Sequence, residues 1–331
     1  MRTPAGACSL ILAAAWLAPA YAQEPKPQEA PPIEVNVSVV NILCSVHDKK
    51  GGLVGNLAKD DFTIAEDGKP QAIKYFTRET DEPLTLGLLI DVSGSQRNLI
   101  DVERDAATQF FSKVIRKKDE AFLISFGAEA ELLQDYTNSP QLLTAGLRGL
   151  HVNSDVGGLH PGPFPTAAHP KGTVLYDAVY LASTEKLRGE VGRKALVLIT
   201  DGIDEGSSYK LEDAVEVAQK ADTIIFAIRY FDPSAYGGGR GFGMQMGLSD
   251  AALRKMAEET GGRLFNVDKK HSLQDAFDEI QSEMRSQYAI GYTPTNPAKD
   301  GTFRKIEIRT ANKDLKVQAR KGYFAIKPER L

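Results

Sequence analysis

Two serines and an aspartate alternate directly after the first strongly apolar run of the chain. The run is Leu84 to Ile90, and Asp91-Val92-Ser93-Gly94-Ser95 follows it. One carboxylate and two hydroxyls from a single tight loop are hard oxygen ligands, which suit Mg²⁺ or Mn²⁺ and suit zinc poorly. The residue types and their spacing therefore predict a divalent-cation site at the end of a buried strand.

Two further segments place oxygen ligands near the ends of predicted elements. Gly172-Thr173 opens a helical period that begins at Leu175, and Thr200-Asp201-Gly202 follows the apolar run Ala195 to Ile199. Ligands of open α/β sheets bind beyond the carboxyl ends of the strands, so we expect both segments to converge on the Asp91 loop. An octahedral ion held there keeps room for water or one external oxygen. The predicted ligands are Asp91, Ser93, Ser95, Thr173 and Asp201.

Strands and helices alternate in the region that carries these residues. Runs that are apolar on both faces are typical of strands in a parallel sheet, and four such runs occur, at 84–90, 121–126, 195–199 and 223–228. Apolar residues recur at helical spacing in four segments, which start near Leu99, Leu175, Leu211 and Leu273. The alternation predicts an α/β domain, with a doubly wound, mostly parallel, Rossmann-like sheet, over residues 83–285.

Shorter β patterns precede and follow this domain. Apolar and polar residues alternate from Ile33 to Val46, and Asp67-Gly68 marks a hairpin turn between Phe62–Ile64 and Ile73–Phe76. Alternation returns after Ser286. Each β segment is too small to fold confidently alone. We therefore expect residues 33–82 and 286–331 to pair into one flanking β module; two separate β appendages are the alternative.

Composition and the first residues indicate an exported protein. The 331 residues carry 40 basic and 44 acidic side chains without a dense basic block, which argues against nucleic acid as a partner. Arg2, the apolar stretch Leu10 to Leu17 and the A-x-A site ending at Ala22 are typical of a cleaved signal peptide at 1–22, although an uncleaved anchor is the alternative. A Pro-rich linker follows at 23–32. We expect a secreted or periplasmic chain without a later transmembrane segment, in which Cys44 is the only cysteine.

Two segments rich in Gly and Pro, 151–172 and 233–247, are expected to be loops rather than regular elements. The first contains His151, His160 and His169, which either form a second metal site or are ordinary solvated histidines. Asp204 and Glu205 follow the T-D-G segment as rim charges or as a solvated acidic turn. For the histidines and for the two acidic residues alike, we favour the interpretation that they are ordinary solvated side chains.

The ordered motifs resemble the metal-ion-dependent adhesion site of von Willebrand factor type A (VWA) domains. The matching residues are the D-x-S-x-S of Asp91, Ser93 and Ser95, the separate Thr173 and the T-D-G aspartate Asp201. The resemblance covers residues 84–285, and the flanking segments are similar to secreted bacterial VWFA-related proteins. It implies a Mg²⁺ ion (or Mn²⁺ or Ca²⁺) whose coordination is completed by an Asp or Glu of a partner protein.

These residues are compatible with three functions and with one interpretation in which they have only a structural role. The first is a non-enzymatic module that recognises a partner protein through the cation. The second is an assembly component of the cell envelope, in which the metal stabilises the fold and the β module makes the contacts. The third, a metal-assisted hydrolase, lacks an obvious general base, and neither G-x-S-x-G nor Walker A is present. In the structural reading, Ser93 and Ser95 only cap the next helix while Asp91 satisfies backbone amides.

Overall fold

Parallel strands and helices alternate through the middle of the chain, and antiparallel strands lie on either side of them in sequence. The computed structural model describes residues 39–79, 82–152, 172–232 and 240–326. The strands are β1 (Val40–His47), β2 (Phe62–Glu66), β3 (Lys69–Gln71), β4 (Ile73–Glu79), β5 (Leu84–Asp91), β6 (Glu120–Phe126), β7 (Ala130–Thr137), β8 (Arg193–Thr200), β9 (Thr223–Arg229), β10 (Leu264–Asn266), β11 (Gln287–Tyr292), β12 (Phe303–Thr310), β13 (Lys316–Ala319) and β14 (Gly322–Phe324). The helices are α1 (Ile100–Val114), α2 (Pro140–Leu147), α3 (Leu175–Leu181), which continues as a π-helical turn (Ala182–Leu187), α4 (Leu211–Lys220), α5 (Arg240–Thr260) and α6 (Leu273–Arg285).

The central sheet has the strand order β10-β9-β8-β5-β6-β7. All of its pairs are parallel except β6 with β7. The four predicted apolar runs are β5, β6, β8 and β9, and their side chains are buried because helices cover both faces. The α/β class with a mostly parallel sheet is confirmed.

The two faces of this sheet carry separate apolar cores. On one face α1 packs on α2 and α6, where the rings of Phe110 and Phe277 stack 4.3 Å apart. On the other face α4 packs between α3 and α5 around Leu175, Val215 and Leu253. Helix periods in the sequence predicted α1, α3, α4 and α6, since each presents an apolar stripe to the sheet.

The structure corrects the expectation of a loop over 233–247. Helix α5 begins at Arg240, so Gly241 and Gly243 lie in its first turn, while 233–239 fall outside the described residues. Glycine costs about 1 kcal/mol in a helix interior, but the buried stripe further along α5, which includes Met256 and Ala257, packs on β9 and stabilises the element. Strand β7 and helix α2 were also not predicted from the sequence.

Strands from the two ends of the described chain pair with each other. One antiparallel sheet has the order β13-β1-β11-β4, and a second has the order β14-β12-β2-β3. Their facing side chains form a third core, so the expected flanking β module is confirmed. Its hairpin differs from the prediction. The Asp67-Gly68 turn, with φ of 49° and 78°, joins β2 to β3, whereas β4 crosses to the other sheet and pairs with β11.

Several predictions lie outside the described residues: the signal peptide at 1–22, the linker at 23–32, the start of the first strand at 33–38, and His160 and His169. Cys44 is free and buried in β1, and burial raises its pKa to about 12. None of the described helices has the length and apolarity that a membrane span needs. The domain boundaries remain predictions.

A buried ionic network joins the last helix to the β module. The carboxylate of Glu283 in α6, 1% exposed, accepts hydrogen bonds from Ser45 Oγ of β1 at 2.9 Å and from Arg263 Nε at 2.7 Å. His47 Nε2 lies 3.7 Å from the same carboxylate, which is an ion-pair separation rather than a hydrogen bond. Burial by itself raises the pKa of Glu283, but His47 and Arg263 outweigh it and hold the pKa below its ordinary value.

We predict that Glu283→Gln lowers the free energy of unfolding by about 2 kcal/mol near neutral pH, because the buried charged acceptor of the Ser45 and Arg263 hydrogen bonds becomes a neutral amide. The folded pKa is depressed, so the carboxylate's contribution is present above its ordinary pKa of 4.5 and is lost as the pH falls through the folded pKa. Urea unfolding at neutral and at acidic pH measures both effects. The control is Glu279→Gln, whose 45% exposed carboxylate also pairs with Arg263 and should cost less than about 1 kcal/mol. Equal losses in the two variants would contradict this account.

Candidate metal centre

The carboxyl ends of β5 and β8 meet at the point where the strand order reverses. From β5 the chain continues to β6 on one side, whereas β8 lies on the other side of β5. Asp91 is the last residue of β5, and Asp201 follows Thr200, the last residue of β8. Both aspartates are buried, at 0% and 1% exposure. Such a switch point forms a crevice in which open α/β sheets bind ligands.

Direct hydrogen bonds link four of the five predicted site residues. Asp91 Oδ1 accepts from the backbone N–H of Ser93 at 2.9 Å, and the hydroxyls of Ser93 and Ser95 lie 3.0 Å apart. Ser95 Oγ donates to Asp201 Oδ2 at 2.7 Å. Because the single hydroxyl proton of Ser95 is used there, Ser93 is the donor in the serine pair. The oxygen atoms of two strand ends are thereby brought into one cluster.

Thr200 has a role that the sequence reasoning missed. Its hydroxyl donates to Asp91 Oδ2 at 2.6 Å and accepts from the backbone N–H of Gly202 at 3.0 Å. Gly202 has a φ of 82°, and a Cβ there would lie 2.7 Å from Leu253 Cδ1. The T-D-G motif therefore needs its threonine to orient Asp91 and its glycine to make the turn. The sequence signal that could have identified Thr200 is a hydroxyl residue at the end of β8, the strand that pairs with β5.

Thr173 is held beside the loop that follows Asp201. Its carbonyl accepts from the backbone N–H groups of Glu205 at 3.1 Å and Gly206 at 3.2 Å. The Cα of Gly172 approaches the same backbone so closely that a Cβ would lie 2.8 Å from the Glu205 carbonyl carbon. Within the described part of the chain, no hydrogen bond joins the Thr173 hydroxyl to the other four site residues. The structure thus holds Thr173 against residues 205–206, in the loop after Asp201, and its part in metal binding stays a prediction.

The electrostatics of the cluster fit a divalent cation. Burial, and then the charge of Asp201, raise the pKa of Asp91 to about 7 in spite of the hydrogen bonds that it accepts. A bound divalent cation would neutralise the negative charge that the buried Asp91 and Asp201 carboxylates carry. All of the donors are carboxylate or hydroxyl oxygens, which suits Mg²⁺. Among the described residues no three His, Cys, Asp or Glu side chains are grouped to hold an ion, so hydroxyls must contribute to any binding at this cluster.

We predict that the metal-free protein loses stability as the pH rises from about 4 to about 7. The folded pKa of Asp91 is raised above its ordinary value of 3.8, so folding favours the protonated carboxyl, and this contribution disappears as Asp91 ionises. Asp91→Asn should show a smaller pH dependence over this range. Thermal unfolding in EDTA at mildly acidic and mildly alkaline pH measures the difference. Identical pH profiles in the two proteins would contradict the prediction.

The weaker candidates have structural roles in the described residues. Asp204 accepts hydrogen bonds from the backbone N–H of Tyr176 at 3.1 Å and from Ser207 Oγ at 2.5 Å, and so caps α3. Glu205 is exposed and accepts from Gln245 of α5 at 3.2 Å. The Nδ1 atom of His151 lies 2.7 Å from the carbonyl oxygen of Gly149.

Comparison with protein families identifies the α/β region. The family model of the von Willebrand factor type A domain matches residues 86–279, more than half of the chain. The chain belongs to the VWA family. Domains of this family commonly mediate protein–protein interaction or adhesion, are typically not enzymes, and often hold a divalent metal. No curated protein sequence matches the chain.

Solved structures similar to this VWA protein come from several organisms. An aerotolerance-related membrane protein from Bacteroides fragilis is 19% identical, with a TM-score of 0.43, over 61% of this chain and 98% of that one. The vWF domain of the type V pili tip protein Mfa5 from Porphyromonas gingivalis is 14% identical, with a TM-score of 0.43, over 61% and 94%. Proximal thread matrix protein 1 from the mussel byssus, described with a zinc-occupied MIDAS motif, is 11% identical, with a TM-score of 0.46, over 66% and 50%.

Proposed function

We propose that the protein recognises a partner protein through a divalent cation held at the Asp91–Asp201 cluster. The observation that carries the proposal is the hydrogen-bonded path from Asp91 through Ser93 and Ser95 to Asp201, which gathers two buried carboxylates and two hydroxyls at one strand edge. A cluster that only capped a helix would not need two carboxylates out of water. Membership of the VWA family supports the same reading.

Each residue has a part in holding the cation. Asp91 is the main anionic ligand, Ser93 and Ser95 contribute hydroxyl oxygens, and Thr173 and Asp201 act directly or through water. Mg²⁺, or Mn²⁺ or Ca²⁺, supplies an electrophilic site for an external oxygen. Two carboxylates leave a divalent ion close to neutral, so an Asp or Glu carboxylate of the partner remains attractive.

Binding is favoured over catalysis by what surrounds the cluster. The three histidines whose side chains are described make their contacts elsewhere: His47 with Glu283, His151 with Gly149 and His271 with Glu279. The described residues therefore bring no imidazole base to the serine hydroxyls. Ser95 already donates its proton to Asp201.

We predict that Mg²⁺ raises the unfolding temperature of the protein, because a ligand that binds only the folded state stabilises it. At 100 times its Kd the gain is about 2.7 kcal/mol. Asp201→Asn should remove most of the shift, since it takes away one of the two charges. Thermal unfolding with Mg²⁺ and with EDTA tests this; an unchanged unfolding temperature in the unaltered protein would contradict the cation site.

A pull-down from envelope extract in Mg²⁺ and in EDTA tests recognition of a partner. We expect capture only with Mg²⁺, its loss in Asp91→Ala, and its competition by a short Asp-containing peptide but not by the same peptide with Asn. The control Glu205→Gln removes an exposed acidic charge near the site and should leave capture unchanged.

The alternative function is an assembly component of the cell envelope that makes its contacts through the β module. The observation that favours it is Tyr75, 57% exposed on the edge strand β4. Under this reading Asp91→Ala lowers stability but leaves association largely intact. The same partners captured in Mg²⁺ and in EDTA would therefore reject the cation-dependent proposal in favour of the β module.

We also propose that the chain acts outside the cytoplasm, in the periplasm or after secretion, because residues 1–22 have the pattern of a signal peptide. Cell fractionation of a tagged full-length chain, with N-terminal sequencing of the product, tests export and cleavage together. Retention of residue 1 in a membrane fraction would instead indicate an uncleaved anchor.

A further inference from the structure

A third carboxylate lies buried on the helix that follows the serine loop. Glu103 in the first turn of α1 is 0% exposed. Neither of its carboxylate oxygens has a hydrogen-bond partner among the described residues. Buried polar groups in native proteins are almost always hydrogen-bonded, and an unpaired carboxylate is among the most costly exceptions. The Glu103 carboxylate therefore needs a hydrogen-bond donor that none of the described residues provides.

A second residue with an unpartnered oxygen, Gln96, lies between the serine loop and Glu103 in the sequence. Gln96 ends the 3₁₀ turn Gly94–Gln96, is fully buried, and donates from Nε2 to the Tyr230 carbonyl at 3.3 Å. Its Oε1 has no partner among the described residues. The charge of Glu103 also acts on the Tyr230 phenol: burial, and then this charge, raise its pKa. The unsatisfied atoms of Gln96 and Glu103 are all acceptors, so the missing group is a donor, such as water.

The candidate metal centre acts on Glu103 electrostatically. Burial, and then the charges of Asp91 and Asp201, raise the pKa of Glu103 well above its ordinary value. A cation at the cluster would relieve this repulsion and would bring its own water molecules, which Mg²⁺ releases reluctantly. Groups that orient ligands from outside the coordination sphere commonly tune metal affinity in this way.

We propose that Glu103 is a positioning residue for the cation, whose carboxylate accepts a hydrogen bond from a water molecule of the cation's coordination sphere. The inference rests on the proposed function. With Glu103 ionised outside the two ligand aspartates, the loaded centre would carry a net charge of −1. Glu103 therefore strengthens cation binding while it weakens the attraction for an anionic side chain of a partner.

Isothermal titration of the full chain with Mg²⁺ tests the proposal in Glu103→Gln, which keeps the shape of the side chain and removes its charge. We expect the Kd for Mg²⁺ to rise about 10- to 100-fold. In EDTA the variant should unfold at a higher temperature than the unaltered protein, because a buried, unpartnered carboxyl group that is costly to ionise is replaced by a neutral amide. A merely structural role predicts the opposite shift in EDTA and no change in Kd.

The matched control is Asp105→Asn, which removes an exposed charge from the same helix and should leave the Kd unchanged within about twofold. Should Glu103→Gln fail to fold, Glu103→Asp is the second variant, because it keeps the charge and shortens the side chain by one methylene. A higher Kd for Mg²⁺ with an unchanged unfolding temperature in EDTA then supports the proposal. An unchanged Kd in Glu103→Gln, or in Glu103→Asp if that variant is used, overturns it. Absence of Mg²⁺ binding in the unaltered protein instead overturns the proposed cation site itself.

Discussion

Two carboxylates held out of water at neighbouring strand ends are the constraint around which the α/β part is organised. Parallel pairing of β5 with β8 brings Asp91 and Asp201 to the carboxyl ends of neighbouring strands, where both side chains are buried. The hydroxyls of Ser95 and Thr200 then donate hydrogen bonds to the buried carboxylates of Asp201 and Asp91. Buried carboxylates whose pKa is strongly raised, as that of Asp91 is, cluster at functional sites of proteins.

The sequence contained enough information for the four central strands of the sheet and for most of the cluster. Runs that are apolar on both faces can pack only between helices, so β5, β6, β8 and β9 were predictable. The end of each strand then located Asp91 and Asp201. These signals are local, because the apolar run that marks a strand and the aspartate at its end are adjacent in the chain.

What the sequence did not reveal depends on contacts between distant residues. Glu103 reads as an ordinary polar position in the first turn of a helix, and only packing shows that it is fully buried. Glycines at 241 and 243 argued against a helix, yet burial of residues further along α5 outweighs their propensity. The hairpin was misassigned because the Asp67-Gly68 turn marks where a strand reverses but not which of the next two strands pairs with it.

The β module also determines how the ends of the α/β segment are held. The chain leaves the module at Glu79 of β4 and returns at Gln287 of β11, and these two residues face each other across an antiparallel pair. While that pair is intact, an unfolded α/β segment is a closed loop rather than a free chain, and a closed loop has lower conformational entropy. The β module therefore acts as a non-covalent cross-link, which gives the intervening segment the kind of stabilisation that disulfide bonds give to many small domains.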